Sequence, residues 1–325
     1  MSLSNLSYIL RRTVSAVLTI FAIIILNFIL FRLLPGDPIT LLYRSPALTQ
    51  HQINLLTEEF GLNQPLWIQF VIFFKNSLMG NFGISFFYKQ PVTSIIIPAI
   101  KNSLILLIPA NLMAILLGMF TGAISAWHRG KKIDSTILGT SLALYAMPTF
   151  WLGSMLIVVA LHVGNIPVEG MYSIGVLNQS AIIRFWDLLG HLTLPLITLT
   201  LVLYGEFTIV MRNSLLDVLS EDFILTAKAK GATDSRILWR HAFPNGLLPL
   251  VSLIAISFGL VIGGVIFTEI VFSWPGIGFV TYTAIFMRDY PVLQGAFFLI
   301  TITVVLANYF ADFVYSYIDP RIRYR

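Results

Sequence analysis

Apolar residues in this chain come in long stretches separated by polar connections, and the stretches have the length of a bilayer crossing. About 20 mostly apolar residues are needed to cross the hydrocarbon layer. Six stretches qualify: Thr13–Phe31, Ser103–Trp127, Ile137–His162, Leu192–Val210, Leu247–Ile270 and Val292–Tyr315. Several contain Gly or Pro, which packed membrane helices tolerate. The third and fourth are the least sharply bounded, because Pro148 and Pro195 are placed to end or kink them. Arg11 and Arg12 ahead of the first stretch resemble the start of a signal peptide. The apolar run is too long for a signal core, however, and no small-x-small cleavage site follows, so it reads as a retained span.

The basic residues orient the spans. Arg11, Arg12, Arg129, Lys131, Lys132, Arg212, Lys228, Lys230, Arg236, Arg240, Arg321, Arg323 and Arg325 fall on one side, thirteen in all. Arg32, Arg44, Lys75, Lys89, Lys101, Arg184 and Arg288 fall on the other, seven in all and spread through longer connections. By the positive-inside rule the first group faces the cytoplasm. The pattern predicts an all-α integral membrane protein with six transmembrane helices and cytoplasmic N- and C-termini.

Composition agrees: 57% of residues are hydrophobic and 11% charged, against about 25% charged in soluble domains. Basic residues are scattered rather than gathered on one solvated face, which argues against nucleic-acid binding. There is no cysteine, hence no disulfide and no thiolate chemistry. The five histidines show no i, i+3 or i, i+4 pairing, so no metal site is expected. GxSxG, HExxH and GxxxxGK[ST] are all missing, so neither hydrolase chemistry nor nucleotide binding is expected of the chain itself.

Three hydrophilic regions remain. In the outside segment Pro35 to Ala99, Thr49 is placed to cap a short helix ending at Gly61, and Pro65 to start a second one. Trp67, Phe70, Phe73 and Phe74 on that second piece predict a helix lying at the interface or against the spans. The second region is the outside loop Gly164–Gly190. The third, Asn213–Asn245, is the most informative. Ser220 is a good N-cap, with Glu221 and Asp222 in the first turn, Lys228 and Lys230 in the last and Gly231 at the left-handed cap position. Glu221–Lys230 is therefore expected as a short capped helix. Thr233 or Asp234 starts a second one, running to about His241 before Pro244. Phe223, Ile224, Ala227, Ile237, Leu238 and Trp239 give this small projection an apolar side. That side either docks on a partner or packs back on the chain's own helices.

Several charged groups fall in or near the spans, where an unpaired charge costs at least about 2.5–3.5 kcal/mol. Glu206 in the fourth span is placed either to line a path or to pair with Arg212 or a neighbouring subunit. Glu269, near the outer end of the fifth, is either a gate or subunit contact or an interfacial carboxylate. Asp312, with Asn308 one turn earlier, suits interhelical hydrogen bonding. Trp274-Pro275-Gly276 makes a tight turn that either plugs an outer mouth or anchors Trp274 among headgroups.

The segment Thr226-Ala-Lys-Ala-Lys-Gly231, with Ala232, His241 and Asn245 ahead of Pro249, resembles the cytoplasmic coupling loop of ABC-importer permeases, in particular the dipeptide/oligopeptide/nickel family. The likeness runs in register along the whole chain: Leu34-Pro-Gly-Asp-Pro38, Gly61-Leu62 with Gln64-Pro65-Leu66, Gly80-Asn-Phe-Gly83, Pro148-Thr-Phe-Trp-Leu152, His191-Leu-Thr-Leu-Pro195, Glu269 with Phe272 and Trp274-Pro-Gly-Ile-Gly278, Arg288-Asp-Tyr-Pro291, and Asp319-Pro-Arg-Ile-Arg323. It departs where Leu225-Thr226-Ala227 stands for the broad Glu-Ala-Ala signature, as in the peptide branch, and where Phe243-Pro244 stands for a basic residue.

The resemblance implies a type I ABC-importer permease fold in a bacterial or archaeal inner membrane. Residues 1–98 would form a first helix and extracytoplasmic segment, 99–315 the five-helix transporter domain with coupling loop 213–245, and 316–325 a cytoplasmic tail. It implies a non-catalytic subunit carrying di- or oligopeptides, with nickel or another small solute as the alternative. It also implies a second homologous permease, two cytoplasmic ABC ATPase subunits that hold ATP and Mg, and an extracytoplasmic substrate-binding protein. An ion-gradient-driven secondary transporter is the rival, but no internal repeat of the kind such proteins show is visible. On this likeness Glu221, Phe223, Ala227, Lys228, Lys230, Gly231, Ala232, His241 and Asn245 would couple to an ATPase. Glu206, Glu269, Trp274, Pro275, Gly276 and Asp312 would belong to the translocation path or its gate.

Overall fold

A computed structural model of the chain describes the backbone of residues 3–33, 49–59, 61, 63–264 and 266–318. Among these residues regular structure is helical, with one isolated bridge between Ile84 and Pro91. The helices in chain order are α1 (Leu3–Leu33), α2 (Gln50–Glu59), α3 (Leu66–Leu78), α4 (Val92–Trp127), α5 (Lys132–Ala146), α6 (Thr149–Val163), α7 (Ala181–Leu219), α8 (Asp222–Ala229), α9 (Asp234–Arg236), α10 (Phe243–Gly264), α11 (Ile266–Val271), α12 (Ile277–Met287) and α13 (Tyr290–Ile318). Residues Ile237–Ala242 form a π-helical turn that joins α9 to α10.

Among the described residues four helical segments are long and apolar enough to cross a membrane: Ile9–Phe31, Val92–Trp127, Ala181–Leu219 and Tyr290–Tyr309. A fifth crossing is available if α5 and α6 count together, although they are bent by 104°. The expected single span Ile137–His162 is therefore corrected to a broken one. Pro148 takes ψ 130° as the N-cap of α6, and Met147 before it takes ψ 131°. A residue preceding proline is driven out of the α region by the ring, which accounts for the break. Pro195 behaves otherwise: it is buried inside α7, and the helix runs through it.

The chain divides into two units. The first comprises residues 1–103 and 275–309. Its core joins Ile24 and Phe28 of α1, Phe73 of α3, Val92 and Ile96 of α4, Val280 of α12, and Val292 and Ala296 of α13. The aromatic row on α3 packs on α1, with Phe70 and Phe73 ring centroids 5.3 and 5.7 Å from Phe28 and Phe74 at 5.9 Å from Phe21. Trp67 points away and is exposed. Pro65 caps α3 from outside rather than opening it. Asp289 is fully buried and accepts hydrogen bonds from the Ser85 hydroxyl and from the Phe86 and Phe87 amides, both amides at 3.1 Å. This carboxylate ties the turn around residue 85 to the start of α13. Burial and the Asp289 charge push the nearby Tyr88 phenol up.

The second unit comprises residues 104–274 and 310–325. Small residues let its helices approach closely, as membrane helix packing requires. A Cβ at Gly118 would fall on Phe207, and one at Gly122 would lie 2.7 Å from the Thr208 carbonyl, so α4 and α7 meet backbone to backbone. Gly205 does the same against α5, where a Cβ would fall on the Ser141 carbonyl and 2.8 Å from the Tyr145 Cβ. The Tyr204 hydroxyl receives a bond from Ser141 at 3.1 Å beside this contact.

Gly205→Ala should overpack the α5–α7 contact and cost about 1–3 kcal/mol, read as a lower melting temperature in detergent. Gly139→Ala, facing open space, should leave the melting curve in place.

Candidate functional site

The projection expected after the fourth span forms, with its starting point shifted. Ser220 is the C-cap of α7, not the N-cap of α8, because its hydroxyl donates back to the Asp217 carbonyl at 2.6 Å. Glu221 takes the N-cap position, and α8 spans Asp222–Ala229. The end of α8 is a Schellman motif: the Gly231 amide donates to the Lys228 carbonyl at 2.9 Å and the Ala232 amide to the Ala227 carbonyl at 3.1 Å. Gly231 has φ +77°, the left-handed geometry that its sequence position predicts.

The second expected helix does not stop at Pro244. Thr233 is the N-cap of α9, and the chain then passes through the π turn directly into α10. Proline lacks the amide that an α-helical ladder needs and crowds the preceding turn. Here the wider turn lies just ahead of Pro244. Asn245 donates from Nδ2 to the His241 carbonyl at 2.7 Å across this junction.

The apolar side packs back on the chain's own helices for most of its residues and stays open for two. Ile224, Ala227, Ile237, Leu238 and Ala242 are buried in one core with Phe207, Met211 and Leu215 of α7 and Leu250 of α10. Phe223 and Leu225 remain exposed, at 41% and 61%. Trp239 leans on the chain, with its ring 5.7 Å from Phe120 and 5.2 Å from Phe243. Glu221, Lys228 and Lys230 are exposed, while Ala232 and His241 are half-buried. The projection is thus a preformed unit that keeps an outer apolar edge.

The second group of candidates is the turn after α11. Glu269 and Trp274 are fully buried, which overturns both the interfacial carboxylate and the headgroup anchor. The Trp274 amide donates to the Glu269 carbonyl at 2.8 Å, and Ser273 between them holds φ +49°. The Phe272 carbonyl receives the Gly170 amide at 2.8 Å, which fastens the loop between α6 and α7 to this turn. In the first unit, the Pro275 carbonyl accepts from Asn102 Nδ2 at 2.9 Å, and Gly276 is the N-cap of α12.

Glu206 sits half-buried on α7. Its expected pairing with Arg212 is corrected, because Arg212 is committed to Asp134 through Nε at 2.7 Å and Nη2 at 2.9 Å. Sequence reasoning missed Asp134. Its place at the head of the third span, just past Lys131 and Lys132, was the available signal. The side chain of Asp312, the Leu34–Pro38 motif and the Asp319–Arg323 motif lie outside the described residues.

Two family comparisons decide what this arrangement belongs to. Residues 114–324 match the binding-protein-dependent transport system inner membrane component, and residues 5–107 match the N-terminal membrane component of the same systems. The chain belongs to this permease family. A probable peptide ABC transporter permease protein of Sinorhizobium fredii is 39% identical over 318 residues, covering 98% of this chain and 99% of that protein. An oligopeptide transport system permease protein of Bacillus subtilis is 34% identical over 320 residues, covering 98% and 99%. A glutathione transport system permease protein of Escherichia coli is 33% identical over 321 residues, covering 98% and 100%. As a member of this family with several membrane-length helices, the permease is a multi-pass protein of the cell membrane.

Ile237→Asp places an unpaired charge in the permease's core and should cost about 3 kcal/mol, seen as a smaller monodisperse fraction after extraction. Phe223→Asp, on the exposed edge, should leave that fraction unchanged.

Proposed function

We propose that this chain is one of two membrane subunits of an ATP-driven importer of di- and oligopeptides, and that its 220–245 projection is the lever driven by an ATPase partner. One observation carries the reading. Phe223 and Leu225 stay exposed on a helix whose other face is locked into the core and whose end is fixed by the Gly231 cap. A stiff, short element with an apolar edge suits docking in a groove of another protein. The names of the relatives above, which speak of peptide, oligopeptide and glutathione transport, favour peptides over nickel, and the family favours ATP drive over an ion gradient.

In this reading six spans are made by α1, α4, the broken pair α5–α6, α7, α10 with α11, and α13. Both termini face the cytoplasm, as the thirteen-to-seven basic bias argues. Residues 1–98 form the entry helix and outer segment, 99–315 the transporter domain with coupling loop 213–245, and 316–325 the tail. ATP and Mg reside on two cytoplasmic ATPase subunits, a sister permease completes the path, and an extracytoplasmic binding protein delivers the peptide. Closure of the ATPase pair pushes the projection and tilts the spans. Glu221, Phe223, Ala227, Lys228, Lys230, Gly231, Ala232, His241 and Asn245 form the coupling surface and its support. Glu206, Glu269, Trp274, Pro275, Gly276 and Asp312 belong to the path or its outer gate.

Space around Gly231 is open, so Gly231→Val tests conformation without a clash. A left-handed conformation costs a branched residue roughly 1–2 kcal/mol. Membrane insertion should be normal and peptide uptake abolished. Uptake at the unmodified rate would sink the lever.

A further inference from the structure

The Asp134 carboxylate uses both oxygens fully. Its Oδ1 accepts from Arg212 Nε at 2.7 Å and from the Ser125 hydroxyl at 2.6 Å. Its Oδ2 accepts from Arg212 Nη2 and from the Gly130 amide, both at 2.9 Å. Asp134 is 4% exposed and Ser125 is fully buried. One side chain therefore fastens three elements: the last turns of α4 through Ser125, the α4–α5 turn through Gly130, and α7 through Arg212.

The position matters as much as the bonds. Arg212 lies two turns before the end of α7, and α7 leads through a tight turn at Ser220 and Glu221 into the α8 projection. Apolar contacts between helices are non-directional and allow sliding. Around Arg212, α4 and α7 meet through Gly122 against Met211 and through one hydroxyl pair, Thr121 with Thr208 at 3.1 Å, a single-point bond that can swivel. A planar two-pronged guanidinium–carboxylate pair is directional and resists shear.

We propose that the Asp134–Arg212 pair is the positioning joint that makes α4 and α5 move with α7 when the projection is pushed. Both act as positioning residues, through the helices that they join. Without the pair, α7 would slip against its neighbours, and the push would be spent within one helix. This rests on the reading of the 220–245 loop as the coupling lever.

The test uses the full complex of permeases, ATPase subunits and binding protein in vesicles, with a radiolabelled tripeptide as the probe. The double variant Asp134→Leu/Arg212→Met replaces a buried pair with apolar groups of similar volume, an exchange that is often neutral for stability. It should assemble with the ATPases at the normal stoichiometry and keep hydrolysing ATP, while peptide imported per ATP falls on the order of tenfold. Arg212→Lys keeps the charge and loses the fork. It should lower the same ratio less and is the deciding variant if the double one fails to assemble. An unchanged import-to-ATP ratio in whichever variant assembles would overturn the joint. Failure of the unmodified chain to hold any ATPase subunit would instead overturn the lever reading beneath it.

Discussion

Inside a bilayer a backbone amide has no water to turn to, and that constraint organises this chain. Each unmet amide or carbonyl costs several kcal/mol in hydrocarbon, so the spanning segments close their own ladders as helices. The same constraint makes irregular backbone costly, and such backbone is placed where partners exist. The turn at Ser273 is bracketed by the amide bonds of Trp274 to Glu269 and of Gly170 to Phe272. The turn near residue 85 is bracketed by Asp289.

With helices given, lipid supplies no hydrophobic drive to bring them together, since acyl chains are as apolar as leucine. Close approach and a few polar fasteners must do so. Gly118, Gly122 and Gly205 provide the approach in the second unit and Gly295 in the first, where a Cβ would sit 2.8 Å from Val92. Asp134 and Asp289 provide the fasteners, each a buried carboxylate with several donors around it. A carboxylate so surrounded fixes geometry, and removing one partner would strand a charge at a cost of about 3–5 kcal/mol.

Much of this was legible in the residues. Hydropathy located the membrane-length helices, and the Ser-Glu-Asp to Lys-Lys-Gly arrangement located the projection and its left-handed cap. What could not be read was competition between neighbours. Ser220 looks like an N-cap in isolation, but the preceding helix also offers it a carbonyl and takes it. Pro148 and Pro195 are the same residue type in apolar runs, yet one breaks a helix and the other does not. The difference lies in tertiary surroundings that a linear pattern does not carry. Arg212 likewise has Glu206 nearby in sequence and Asp134 nearby in space. Long-range partners of charged groups stay hidden until the helices are packed.

The length of α7 has a consequence of its own. Its 39 residues make a rod about 58 Å long, nearly twice the roughly 30 Å of hydrocarbon that it crosses. The helix that leads into the projection therefore exceeds the hydrocarbon thickness by several turns. A thinner or thicker bilayer would be met by sliding or tilting of the whole rod relative to the lipid, while the distance from Arg212 to Ser220 stays the same. The spacing between the Asp134–Arg212 pair and the projection is in this way independent of bilayer thickness.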